Sequence, residues 1–276
     1  MASPDKLHQA RAVQRLSVND LLLTPAKLRW FALSELWWYR ACWRLPGART
    51  IMRRERNFEM REMLPILLVL GLVAGVTLFV VLPSSLREQS ASLLATLWPL
   101  WVVQVVPMIC AQAMAMQNSP NIAMRLTEAE VQGDFDVKDI VRHSAQAAHA
   151  AVPLIMAHAT VALASACLLV LFTLGFGLLA AFVLAVGDLR STMDMVFARV
   201  PPLVWLRAAF SAWLLGGVCV TAAVLYAWPG TQQSHSGIGA HRLGLRAMLA
   251  SSLACAVAGM FMNWVAGLLG WNGFVT

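Results

Sequence analysis

The chain has 276 residues, of which 59% are hydrophobic and 13% charged, with a formal net charge of +7 and a mean hydropathy of +0.66. A soluble domain carries about a quarter charged residues, so this composition excludes an ordinary soluble protein and points to a polytopic helical membrane protein. A membrane β-barrel would need short strands of alternating polarity, and the sequence has none.

Residues 1–62 hold twelve Lys/Arg and six Asp/Glu, so most of the net charge precedes the first apolar run. This pattern fits a cytoplasmic segment that hugs the membrane rather than a nucleic-acid surface. No short apolar core with a cleavage site marks a removable signal peptide. Within the segment, "LRWFALSELWWYRACWRLPG" (Leu28–Gly47) places Arg29, Arg40 and Arg44 on one helical stripe and Trp30, Trp37 and Trp38 around other sides. Tryptophan and arginine together favour the headgroup layer, so an amphipathic helix lying in the interface is expected here. Pro46-Gly47 ends it.

Span one is expected over about Leu64–Leu82, with Gly71 and Gly75 as a GxxxG pair that lets helices approach closely. Span two follows over about Ala91–Met116, bent by Pro99 and Pro107. The polar stretch Ser119–Asp139 comes next. From Ala147 to Gly187 the chain is apolar throughout, which suits one long helix broken near Gly175 and Gly177 or two short spans. Further spans are expected over about Pro202–Trp228 and Ala247–Leu269.

With five spans and the N-terminus inside, Arg87, Arg190 and Arg199 are the basic residues of the outer loops and Arg207 lies near the outer end of a span; a six-span reading scores almost the same, and both put the N-terminus inside. The stretch 117–146 is then cytoplasmic, yet it holds five acidic against three basic residues. That opposes the usual inner-loop bias. Thr127 and Glu130 form a capping-box pattern that starts a helix, and an acidic helix on the inner face would suit a basic groove on a soluble partner. A plain solvated loop is the other reading.

Catalytic readings have little support. The chain lacks GxxxxGK[ST] and so cannot hold ATP by a P-loop. His143, His149 and His158 are spaced by six and nine residues, which does not place them on one helical face. His158, the one deep in a span, reads as a packing histidine; a redox role is the rival. Cys42, Cys110, Cys167, Cys219 and Cys255 have no metal-binding spacing and read as small packing residues. In the last span Ala247, Ser251, Cys255, Gly259, Asn263 and Gly267 recur every four residues. Such a stripe makes a helix–helix seam, either between subunits or within one.

Three stretches carry a family resemblance: "VQVVP" (103–107) in span two, "VPLIMA" (152–157) opening span three and "SGIGAHRLGLRAMLASS" (236–252) before the last span. With the order of elements from about Leu28 to the end, they resemble the MlaE/YrbE family, the permease subunits of ABC-type lipid transporters that work with Mce proteins. "VQVVP" keeps the proline of the family's Arg-Glu-Leu-Gly-Pro run as Pro107 and has Gln104 in the glutamate's place. The family's Ala-Gly-Arg and Ala-Glu motifs correspond to Ala115-Met116-Gln117 and Met124-Arg125, without their glycine, arginine and glutamate.

The resemblance implies an all-α fold with an N-terminal interfacial helix in 1–62 and a five-span permease domain in 63–276, N-terminus cytoplasmic, in a bacterial inner membrane. It implies a coupling helix within 119–145, with Thr127, Glu128, Glu130, Asp134 and Asp136 docking a separate cytoplasmic ATPase that holds the ATP and Mg. Gln104, Pro107, Ser251, Cys255, Gly259 and Asn263 would line a lipid cavity or a subunit seam. A second permease subunit and a periplasmic Mce-domain protein are the other implied partners, with membrane lipid or another hydrophobic molecule as cargo. The chain itself would hold no cofactor and perform no bond chemistry. A non-transporting membrane scaffold with a cytoplasmic docking helix is the alternative.

Overall fold

The computed structural model describes residues 48–85, 90–127, 137–184, 189–198, 200–226 and 240–268. Among them all regular structure is helical. Five stretches are long and apolar enough to cross a membrane: span one, Met52–Ser85; span two, Leu93–Ile122; span three, Ala151–Val183; span four, Pro202–Tyr226; and span five, Gly244–Leu268. A helix crosses the ~30 Å hydrocarbon layer in about 20 residues and satisfies its own backbone, so this is a multi-pass helical membrane protein. The expected interfacial helix at 28–47 lies outside the described residues.

Helix Ala48–Val76 continues through a wider π-helical turn, Thr77–Val81, into Leu82–Ser85. The basic run before the membrane and the first apolar run therefore share one helix, and the expected boundary at 62/63 falls inside it. Every fourth residue from 59 to 79 is buried: Glu59, Met63, Leu67, Gly71, Gly75 and Phe79. Leu68, Val69, Leu72 and Val73 on the other sides are exposed. A four-residue period keeps side chains on one face of a helix, and that face carries the packing. At its middle a Cβ added to Gly75 would stand 2.5 Å from the Thr173 carbonyl oxygen and 2.7 Å from the Gly177 nitrogen. The glycine pair is thus a close-approach seam between spans one and three.

Span two is one helical path in three pieces, Ser90–Leu100, a π-helical turn Trp101–Val105, and Val106–Thr127. In the wide turn the Val106 N–H reaches the Trp101 carbonyl. The turn lies between Pro99 and Pro107, which have no N–H to give, so the ladder is reset there. Trp98 packs edge-on against Phe79 with ring centroids 5.7 Å apart.

Of the apolar run 147–187, residues 147–183 are unbroken and belong to a single 47-residue helix, Val137–Val183. Gly177 does not interrupt the helix because its missing side chain serves a different need: a Cβ there would collide with the Phe79 ring. At ~1.5 Å per residue this helix runs roughly 70 Å, over twice the hydrocarbon thickness. A short helix absent from the sequence expectation, Leu189–Ala198, follows. It buries Val196 and leaves Met193 and Phe197 exposed. Pro202 then opens span four at the first helical position, where a missing N–H costs nothing.

The described chain divides into two compact units. One comprises described parts of 48–54, 115–157 and 219–252, with a small core of Ile122, Ala151, Val220, Ala223 and Val224. The other comprises described parts of 55–114, 158–218 and 253–276, with a larger core in which Met63, Leu67, Trp98, Val102, Val106, Val161 and Leu169 are almost fully buried.

Candidate functional site

The larger unit contains a cavity of about 760 Å³ between spans two, four and five. Pro99, Leu100 and Val103 come from span two; Leu203, Leu206, Phe210, Leu214 and Val218 from span four; Phe261, Met262 and Val265 from span five. Its size falls within the range of small-molecule sites, about 300–1,000 Å³. Among the described lining residues two are polar, Gln104 and Arg207. Gln104 sits in the π-helical turn of span two, where the wider backbone path follows Pro99. Arg207 lies five residues into span four, and its guanidinium donates to the Asn263 side-chain oxygen at 3.4 Å.

The candidates from the sequence fall in different places. Gln104 faces the cavity and Asn263 holds the arginine that lines it. Pro107 is buried just past the wide turn. Ala247, Ser251, Cys255 and Gly259 form the buried side of span five, while Leu249, Leu253, Val257 and Met260 face outward. Their contacts are made within the chain. The Ser251 hydroxyl donates to the Cys219 carbonyl at 2.8 Å and accepts from the Ser119 hydroxyl at 2.8 Å. The Cys255 thiol lies 3.7 Å from the Met108 sulfur, and a Cβ at Gly259 would strike the Met108 methyl. Farther along, Asn263 is half-buried and Gly267 exposed.

Thr127 lies in helix Val106–Thr127, and Glu130, its capping-box partner, lies outside the described residues. Glu128, Glu130, Asp134 and Asp136 lie outside the described residues. Within 119–145, the described residues belong to the end of helix Val106–Thr127 and the start of helix Val137–Val183.

Two features escaped the sequence reading. Arg207 entered it only as one charge in an orientation count, yet a cation within a span is a functional-site signal in its own right. Glu59 was grouped with the cytoplasmic segment. It is 5% exposed, and its carboxylate lies 3.4 Å from Nε2 of His158, which is 0% exposed. The period linking Glu59 to Met63 and Leu67 was the available signal. Among the described residues no three His, Cys, Asp or Glu side chains converge as a metal site.

Compared with known proteins, the chain matches no family model, no curated protein and no solved structure.

Proposed function

We propose that this chain is the permease subunit of a transporter that moves lipid or another hydrophobic molecule, in the manner of the MlaE/YrbE proteins it resembles in sequence. The observation that carries the reading is the apolar cavity of about 760 Å³ between spans two, four and five. A cavity of that size and lining suits a hydrophobic passenger, and the exposed apolar side chains Leu206, Phe210 and Phe261 at its edge suit entry from the lipid phase. Energy would come from ATP hydrolysis, with its Mg, on a separate cytoplasmic subunit. The acidic stretch around Glu128, Glu130, Asp134 and Asp136 would dock that subunit, and an Mce-type protein would exchange cargo in the periplasm. A second permease copy would complete the assembly, in a bacterial inner membrane with the N-terminus inside.

The test is reconstitution of the chain with a cytoplasmic ABC ATPase and an Mce-type protein, followed by transfer of a fluorescent phospholipid out of proteoliposomes. ATP-dependent transfer that is blocked by Leu214→Trp, which fills the cavity, is the expected result. An assembled complex that hydrolyses ATP but transfers nothing overturns the reading.

A further inference from the structure

We infer that the cavity selects a lipid with an anionic headgroup, and that Arg207 is the residue that makes the selection. This rests on the reading of the cavity as a hydrophobic-cargo site and adds the chemistry of the cargo's head. Arg207 is the one charged side chain among the described lining residues. A cation inside a span that faces a cavity marks a functional site by default. The guanidinium presents five N–H donors in a planar fork that matches a phosphate or carboxylate edge. Asn263 accepts from one of them at 3.4 Å, which fixes the side chain against span five beside the cavity.

Depth agrees with the charge. Arg207 lies five residues past Pro202, roughly 7 Å along the helix from its start. A headgroup at that level would sit near the boundary between headgroups and acyl chains. Beyond Arg207 the same helix lines the cavity to Val218, roughly 16 Å and about half the ~30 Å hydrocarbon layer, the depth that the acyl chains of one leaflet occupy. The wall along that length is apolar except at Gln104. Its amide is neutral and adds no preference for charge. Leu206, Phe210 and Phe261 are 67%, 54% and 60% exposed beside the cavity, an approach fit for a lipid and unfavourable for a free hydrated anion.

The experiment uses the full chain, purified in a non-ionic detergent and incubated with equimolar phosphatidylglycerol and phosphatidylethanolamine of identical acyl chains. Bound lipid is counted by native mass spectrometry. The expected result is a preference of about tenfold or more for the anionic lipid, unaffected by excess inorganic phosphate. Arg207→Gln should abolish the preference while phosphatidylethanolamine still binds, weakened by loss of the phosphate contact the two lipids share, and that binding also reports that the variant is folded. Arg207→Lys should retain part of it, since the charge remains and the fork is lost.

Equal binding of the two lipids, or a preference that survives Arg207→Gln, overturns the assignment of Arg207 and leaves the cavity as an unselective hydrophobic site. Displacement by inorganic phosphate overturns it in favour of a soluble anion. A photocrosslinker replacing Leu214 distinguishes the deeper failure. Labelling of a second copy of the chain in place of lipid would remove both the selection and the cargo reading.

Discussion

Glu59 and His158 face each other at 3.4 Å, each almost wholly closed off from solvent. They join the helix of span one to that of span three, and both lie in the unit with the larger core. A buried pair of this kind adds little net stability, because desolvating the two groups offsets their attraction. Removing one partner is different, since a buried polar group then loses this contact. Glu59→Leu or His158→Leu alone should therefore destabilise the protein by about 1–3 kcal/mol, whereas the double replacement should recover part of that loss. Unfolding in mixed micelles by SDS titration reads the three variants. Losses that simply add in the double variant would show that the two side chains do not act as a pair.

The glycines of spans one, three and five make a graded series. At Gly75 a Cβ would meet backbone atoms of Thr173 and Gly177, which cannot move aside. At Gly259 it would meet the terminal methyl of Met108, which can. At Gly175 it would meet nothing within 4 Å. Gly75→Ala should cost about 1–3 kcal/mol through overpacking. Gly259→Ala should change stability much less, and Gly175→Ala should stabilise by about 0.5–1 kcal/mol through helix propensity alone. The same SDS titration orders them. Equal effects at Gly75 and Gly175 would mean that spans one and three are not in backbone contact.

Four of the five spans were legible because each is an apolar run of about the length a bilayer needs, whereas the long run 147–187 suited one span or two by length alone. The ends were less legible. Span one begins twelve residues earlier than the run that announced it, at Met52, because a helix can carry arginines outward from the membrane while its buried face continues inward through Glu59 and Met63. Gly177 misled for a related reason, since composition alone does not tell a glycine that breaks a helix from one that lets two helices touch. Of the stripe in span five, Ala247, Ser251, Cys255 and Gly259 are buried, and Asn263 and Gly267 are not. Which neighbour it meets depends on long-range contacts such as Ser251 with Ser119 and Cys219, and no local spacing encodes those. The cavity is the extreme case, for Gln104, Arg207 and Asn263 come from three separate spans.

The acidic stretch yields a prediction that is independent of the cavity. If Glu128 and Glu130 dock a basic groove on an ATPase, reversing both to lysine replaces attraction by repulsion, an effect that should weaken with salt. The expected outcome for Glu128→Lys/Glu130→Lys is loss of the ATPase from the purified complex, or a fall of tenfold or so in lipid-stimulated ATP turnover. The chain itself should remain folded and inserted. Intact assembly with unchanged turnover would remove these residues from the docking surface.

The hydroxyl relay from Ser119 through Ser251 to the Cys219 carbonyl ties spans two, five and four within the smaller unit. Ser251 is its pivot, accepting one hydrogen bond and donating the other, both at 2.8 Å. Polar contacts between membrane helices average ~0.6 kcal/mol and reach ~1.7 kcal/mol, because unfolded helices in a bilayer find other partners. Ser251→Ala removes both bonds and strands the Ser119 hydroxyl in a buried place, so its cost should lie toward the upper figure. Ser119→Ala removes one bond, leaves Ser251 bonded to Cys219, and should cost less. In the double alanine variant nothing is stranded, so the loss should fall short of the sum of the singles. Thermal or SDS unfolding of the four proteins tests the cycle. A double variant that loses the full sum would show that the two serines act independently.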